Sequence, residues 1–148
     1  MDGIALLIAA TMNAGTVLAL AALGLLINEK AGVVNLGAEG MMLIAAIAGF
    51  ATAVHTGSDW LAFIAGAAAA GLLAALFGWL VIWLNANQYA SGLALSILGA
   101  GLSAFVGIRY VQEKLPSRGL QAISGLGEIP FVGPALFRHH PMVYVAIV

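Results

Sequence analysis

Two long runs of this chain contain no Asp, Glu, Lys or Arg, and they constrain its fold more than any other feature of the sequence. The first runs from Gly3 to Asn28 and the second from Trp60 to Ile108. A transmembrane helix needs about 20 mostly apolar residues to cross about 30 Å of hydrocarbon. The first run therefore predicts one membrane-spanning helix. The second run has 49 residues and predicts two helices, joined by a turn at Asn85-Ala86-Asn87-Gln88.

The composition supports a membrane protein and excludes several other classes. Hydrophobic residues make up 63% of the 148 residues and charged residues only 7%, whereas soluble domains carry about 25% charged residues. The formal net charge of -1 argues against nucleic-acid binding, which needs a basic surface. Cysteine is absent, which excludes disulfides and cysteine-ligated metal sites. The sequence also lacks a G-x-x-x-x-G-K-[ST] phosphate loop, so we expect no nucleotide hydrolysis by that route.

A polar stretch around Asn35 and Glu39 lies between two apolar segments, where an ionised group is unfavourable unless it is buried against protein or water. The uncharged run from Gly40 to Val54 has 15 residues, about 22 Å of helix, which is short for a full crossing. We therefore predict a broken or re-entrant helix that begins near Gly37. Asn35 is its possible cap, and Glu39 lies in its first turn, where the helix dipole favours a negative charge.

These segments predict an all-α integral membrane protein. The expected architecture is a polytopic helical bundle with about four complete transmembrane helices, one of them broken or re-entrant, and the start of a fifth. The first segment is interpreted as a retained helix, because Asp2 is acidic and the apolar run is longer than that of a signal peptide. We expect a single transmembrane domain over residues 1–148, incomplete at its C-terminus, with spans at about 4–27, 36–54, 61–84, 90–108 and from 141 to 148 onward.

Small residues spaced four apart predict close helix packing in the later spans. Pairs such as Gly66 with Ala70 and Ala74 with Gly78 allow two helix backbones to approach each other in lipid. We predict a packing role for five glycines, Gly66, Gly71, Gly78, Gly99 and Gly107.

No combination of base, nucleophile and metal ligands emerges, so we predict no catalytic residues, no metal site and no cofactor in this chain. His139 and His140 are adjacent and would point about 100° apart on a helix, while His55 is expected to form an interfacial hydrogen bond. For Glu39 the alternative is a helix-start carboxylate satisfied by its own backbone amides, and for residues 85–91 it is an ordinary interfacial turn. The candidates for a substrate path or a broken helix are Asn35, Glu39, Asn85, Asn87, Gln88 and Ser91.

At these residues the sequence resembles a known family. Residues 34–44, VNLGAEGMMLI, look like the N-(I/L)-G-x-E-G-x-M-L signature of permease subunits of bacterial ABC importers in the simple-sugar and nucleoside (ribose-type) group. Residues 87–95, NQYASGLAL, are similar to a second stretch of that group, although Tyr89 stands where an aliphatic residue is expected. Residues 125–130, GLGEIP, resemble the loop that precedes the group's next helix.

The resemblance implies that the chain is an N-terminal portion of such a permease, which moves a sugar or nucleoside across the bacterial cytoplasmic (inner) membrane. The implied partners are a second permease subunit, cytosolic ATP-binding cassette subunits that hold ATP and Mg, and an external substrate-binding protein. The chain itself would then be no enzyme. The alternative is a non-transporting integral-membrane scaffold or assembly subunit, in which the glycine-rich helices only pack.

Overall fold

Four α-helices follow one another in residues 2–114, the part of the chain that the computed structural model describes, and these residues contain no strand. A π-helical turn extends the third helix, and a 3-10 turn extends the fourth. The elements are α1 (Asp2–Lys30), α2 (Ala38–Thr56), α3 (Asp59–Gly78), the π-helical turn (Trp79–Trp83), α4 (Gln88–Gly107) and the 3-10 turn (Ile108–Tyr110).

All four helical segments contain a stretch long and apolar enough to cross a membrane. These stretches are Ala10–Lys30, Ala38–Thr56, Asp59–Trp83 and Gln88–Tyr110. The predicted all-α membrane fold with four spans is therefore confirmed. The predicted start of a fifth span at 141–148, the GLGEIP stretch and the pair His139 and His140 lie outside the described residues.

The break expected around Asn35 and Glu39 lies before α2. Residues 31–37 are not helical, and α2 then continues without interruption from Ala38 to Thr56. Its 19 residues make a helix of about 28 Å, close to the thickness of the hydrocarbon core. The helix has the same length as the predicted span 36–54 and is shifted by two residues, with Glu39 in its first turn and His55 in its last.

The chain divides into two units, of which the first is described for residues 2–26 and the second for residues 27–114. In the first unit the described residues form one continuous part of α1. The second unit contains the end of α1 and all of α2, α3 and α4. Both predicted breaks belong to this second unit.

A tight turn between α2 and α3 makes these two helices antiparallel. Gly57 adopts a left-handed backbone conformation (φ 65°), and its N–H donates to the Ala53 carbonyl at 2.9 Å, which ends α2. The next residue, Ser58, begins α3, since its hydroxyl accepts from the Leu61 N–H at 3.4 Å. Farther along the two helices, a Cβ added at Gly66 would lie 2.9 Å from the Ala45 carbonyl oxygen. The helix backbones are therefore in direct contact.

α2 and α4 run parallel. Gly40 near the start of α2 lies against Ser96 of α4, and His55 at the end of α2 contacts Tyr110 just after α4. His55 Nε2 is 3.0 Å from the Tyr110 hydroxyl, which supplies the interfacial hydrogen bond expected for this histidine. A small core of Met41, Phe77 and Leu95 joins the three helices at the opposite end, close to both breaks.

Candidate functional site at the two chain breaks

The first break is organised by Asn35, whose side chain is buried. Its Oδ1 accepts a hydrogen bond from the Gly37 N–H at 2.9 Å, and its Nδ2 lies 3.7 Å from the Met41 sulfur. A buried amide is costly unless its polar atoms find partners. Asn35 therefore stabilises the turn that leads into α2. It is not the cap of α2, because the N-cap position is Gly37, which has no side chain to bond the helix.

The second break begins where α3 widens into the π-helical turn. The Leu84 N–H donates to the Trp79 carbonyl at 3.2 Å, and the Ala86 N–H donates to the Leu80 carbonyl at 3.0 Å. Asn85 then turns the chain with a positive φ of 49°. Asparagine is one of the few residues with a side chain that tolerates this conformation. The α-helical hydrogen-bond pattern therefore ends in this segment, and it resumes only in α4.

Asn87 begins α4 as its N-cap. Its Oδ1 accepts from the N–H groups of Tyr89 and Ala90, at 3.0 Å each. These two donors would otherwise have no intrahelical partner. The sequence also allowed an ordinary turn at residues 85–91, and the N-cap role of Asn87 is consistent with that alternative.

The two breaks are joined by a hydrogen bond between residues 54 positions apart. The Val34 N–H donates to Gln88 Oε1 at 3.0 Å. Next to this bond, a Cβ added at Gly92 would lie 2.8 Å from the Leu36 nitrogen and 3.0 Å from the Gly37 nitrogen. The first break is therefore packed directly on the start of α4.

The contact continues along one face of α4. Gly92, Ser96 and Gly99 follow each other at spacings of four and three residues, which places them on the same side of a helix. A Cβ added at Gly40 would lie 2.5 Å from the Leu95 carbonyl oxygen and 2.7 Å from the Ser96 Cα, and one added at Gly99 would clash with the backbone of Gly40. Residues 34–44 thus meet α4 through glycines.

An open concavity of about 340 Å³ lies at the second break. Three of the six candidate site residues line it, together with an aromatic ring and two small or apolar side chains. The lining residues are Val81, Asn85, Ala86, Asn87, Gln88 and Tyr89. The described part of the chain contains no group of three or more His, Cys, Asp and Glu side chains that could hold a metal ion.

A family model described as "Branched-chain amino acid transport system / permease component" matches residues 7–131 of the chain. The chain belongs to this permease family. The resemblance of the signature stretches to transporter permease subunits is thereby confirmed.

Two curated relatives of this permease carry transport names. A putative glucose ABC transporter permease protein of Haloferax volcanii is 44% identical over 145 residues, which cover 95% of this chain and 44% of the relative. The guanosine ABC transporter permease protein of Bacillus subtilis is 30% identical over 146 residues, which cover 90% of this chain and 46% of the relative. The chain spans about half the length of these relatives. No solved structure was found to match it.

The candidate site residues of the permease fall into two groups. Asn35 and Gln88 belong to the joined breaks, and Asn85 and Asn87 line the concavity with Gln88. Glu39 is exposed in the first turn of α2, without a hydrogen bond or ion pair among residues 2–114. Ser91 is half-buried in the first turn of α4 and does not line the concavity. Three of the six candidates therefore lie outside the concavity, namely Asn35, Glu39 and Ser91.

The glycines singled out for packing also differ in their surroundings. Gly66 and Gly99 are buried in close helix contacts, whereas a Cβ added at Gly107 would make only an ordinary contact, 3.8 Å from Ile47 Cδ1. A Cβ at Gly78 would meet only Ile82 in the following turn at 4.0 Å, and one at Gly71 would meet nothing within 4 Å in the described chain. Packing roles for Gly71 and Gly78 against another helix of the described chain are therefore not observed.

Sequence reasoning did not assign the close contacts of Gly40 and Gly92. The available signal was the repetition of small residues at helical spacing in α4, together with the glycines of residues 34–44. That signal identifies a packing face, but it does not identify which segment covers it.

Proposed function

We propose that this permease is the membrane-spanning subunit of an ATP-driven ABC importer that moves a sugar or nucleoside across the cytoplasmic (inner) membrane. The observation that carries the proposal is the junction of two non-helical breaks, bonded by Val34 and Gln88, at one end of the apolar helices α2, α3 and α4. Irregular backbone at membrane depth is tolerated where it is buried in protein or lines a water-filled cavity. Transporter binding sites are typically built at such interruptions.

The names of the relatives support the solute class and the energy source. Both are called ABC transporter permease proteins, one for glucose and the other for guanosine. In this proposal the chain itself has no enzyme activity and binds no cofactor. ATP and Mg are bound by separate cytosolic ATP-binding cassette subunits. A second permease subunit and an external substrate-binding protein complete the importer.

The described helices suggest how such a subunit can expose polar groups without losing its fold. Asn35 and Asn87 satisfy backbone N–H groups at the breaks, and glycines hold α2 against α4. The solute path then runs past a preformed interruption, and no helix has to unfold during transport. Rocking of the subunits, driven by ATP hydrolysis on the partner subunits, opens this path to each side in turn.

The test is uptake by the intact transporter. The full-length permease is reconstituted in liposomes with its ATP-binding subunits and its substrate-binding protein. Accumulation of labelled D-glucose, D-ribose, guanosine and L-leucine is measured with ATP and with a non-hydrolysable ATP analogue. We expect accumulation of a sugar or nucleoside only with ATP. An assembled complex that accumulates no solute contradicts the proposal and favours the scaffold alternative.

A further inference from the structure

We propose that the concavity at the second break is a contact site for an uncharged, oxygen-rich solute, with Tyr89 as its stacking surface and the amides of Asn85, Asn87 and Gln88 as its polar groups. This inference rests on the proposed importer function and deepens it by assigning the solute class to particular side chains. The volume of about 340 Å³ lies within the usual range for small-molecule sites, about 300–1,000 Å³.

The lining of the concavity carries no charged side chain among the residues that the structure describes. None of its six residues is Asp, Glu, Lys, Arg or His. A zwitterionic amino acid would have to give up part of the hydration of its ammonium and carboxylate groups there without a counter-charge, which is unfavourable. The N-terminus of α4 offers limited compensation, because Asn87 already occupies the N–H groups of Tyr89 and Ala90. The site therefore favours a neutral solute, although the family model is described by branched-chain amino acid transport.

The hydrogen bonds within the protein determine what the amides still offer. Asn87 Oδ1 is occupied by two backbone N–H groups, and Gln88 Oε1 is occupied by the Val34 N–H. Each of these side chains retains an NH₂ group with two donors. The concavity therefore has an excess of N–H donors, which suits solutes that present hydroxyl or carbonyl oxygens.

Tyr89 and Asn85 supply the remaining chemistry. The Tyr89 side chain is 53% exposed and borders the concavity. An aromatic face of this kind stacks on a nucleobase or on the apolar face of a sugar ring, while the phenol hydroxyl provides a polar end. The Asn85 carboxamide forms no hydrogen bond within residues 2–114, so it has both a donor and an acceptor available. Together they fit a sugar or nucleoside.

Two substitutions, each with a matched control, test whether these side chains contact the solute or only stabilise the fold. Asn87→Asp keeps an acceptor at the N-cap of α4 but replaces the NH₂ group by a carboxylate oxygen. Its control is Ser58→Asp, which places the same charge at the N-cap of α3, at the other end of the bundle. Tyr89→Leu removes the aromatic face, and its control is Phe63→Leu, a side chain that is 57% exposed and lies outside the concavity.

The measurement is ATP-dependent uptake by the reconstituted complex at saturating, solute-loaded binding protein, with the same four labelled solutes. We expect Asn87→Asp and Tyr89→Leu to lower the uptake rate of the neutral solute by roughly fivefold or more, from the loss of a hydrogen bond or a stacking contact. We expect both controls to stay within about twofold of the unmodified protein. Tyr89→Trp should retain most of the rate, because it restores an aromatic face.

The outcomes distinguish this inference from the importer proposal. Unchanged uptake in both Asn87→Asp and Tyr89→Leu, with an active unmodified complex, overturns the inference and leaves the importer intact. ATP-driven uptake of L-leucine alone overturns the neutral-solute assignment and the solute class of the importer proposal, but it leaves the ATP-driven importer itself intact. If the unmodified complex takes up none of the four solutes, the importer proposal fails and this inference fails with it.

Discussion

Gly40 and Gly99 lie where the backbones of α2 and α4 touch, so the absence of a side chain at these two positions is what permits the approach. An alanine Cβ at Gly40 would lie 2.5 Å from the Leu95 carbonyl oxygen, which belongs to backbone that cannot rotate away. In lipid, close packing of this kind replaces the hydrophobic drive that holds helices together in water. The two glycines therefore carry much of the contact between residues 34–44 and α4.

We expect Gly99→Ala to lower the stability of the permease by about 1–3 kcal/mol, because the two helices must separate to admit the methyl group. The matched control is Gly101→Ala on the same helix, where an added Cβ meets nothing within 4 Å in the described chain. The measurement is the thermal unfolding midpoint of the purified protein in detergent. Equal midpoints for the two variants would contradict a tight contact at Gly99.

Glu39 presents the opposite case, a charged side chain with little structural role. It is exposed and has no polar partner among residues 2–114, so its stabilising effect is limited to the α2 dipole, about 0.3–1 kcal/mol. If the stretch around Asn35 and Glu39 is functional, Glu39→Gln and Glu39→Ala should reduce solute uptake more than complex assembly, because the carboxylate contributes little to the fold. Uptake and the yield of assembled complex are measured in parallel, with Glu29→Gln as the control at an exposed carboxylate of α1. A well-assembled Glu39→Ala transporter with normal uptake removes Glu39 from the functional residues.

At the scale of elements, the hydrogen bond between Val34 and Gln88 fixes the first break to the start of α4. Gln88 is a candidate residue of the substrate path, and in the structure its Oε1 accepts the hydrogen bond from the Val34 N–H. Because the Val34 N–H has no helical carbonyl to bond, it depends on this side chain.

We expect Gln88→Leu to leave the half-buried Val34 N–H without a partner, at a cost of about 1–3 kcal/mol. Gln88→Glu keeps an acceptor at the same position and is the matched control. The measurement is amide hydrogen exchange over residues 31–37, which should accelerate roughly tenfold or more in Gln88→Leu. Similar exchange in both variants would show that this bond does not hold the first break.

The helices themselves could be predicted from the sequence because uncharged runs and their interruptions are local features. The predicted spans 61–84 and 90–108 agree within two residues with Asp59–Trp83 and Gln88–Tyr110. The turn at Asn85 to Gln88 was also located correctly. The span predicted at 36–54 has the same length as α2, Ala38–Thr56, because a carboxylate at a helix start is favourable and does not end the apolar span.

The meeting of the two breaks could not be predicted in the same way. Val34 and Gln88 are separated by 54 positions, and no local pattern indicates that one bonds the other. Similarly, Gly92 and Gly71 both occur among small residues, yet one touches the first break and the other meets no residue of the described chain within 4 Å. Such differences depend on which helices pack together, and that is decided by the fold as a whole.

At the scale of the molecule, the second unit has two ends with different chemistry. One end contains both breaks, the concavity and the core of Met41, Phe77 and Leu95. The other contains the turn at Gly57 and the contact between His55 and Tyr110. Because α2 runs antiparallel to α3 and parallel to α4, three crossings of a membrane would place these two ends on opposite sides.

The absence of cysteine in this chain makes that arrangement testable. Single cysteines are introduced at Leu36 and Leu84 at one end, and at Thr56 and Val111 at the other, all of them exposed. Membrane vesicles of known orientation that contain the full-length protein, otherwise free of cysteine, are treated with a membrane-impermeant maleimide. We expect Leu36→Cys and Leu84→Cys to be labelled from one side, and Thr56→Cys and Val111→Cys only from the other. Labelling of Thr56→Cys and Leu84→Cys from the same side would mean that α3 does not cross the membrane, and it would contradict this arrangement of the two ends.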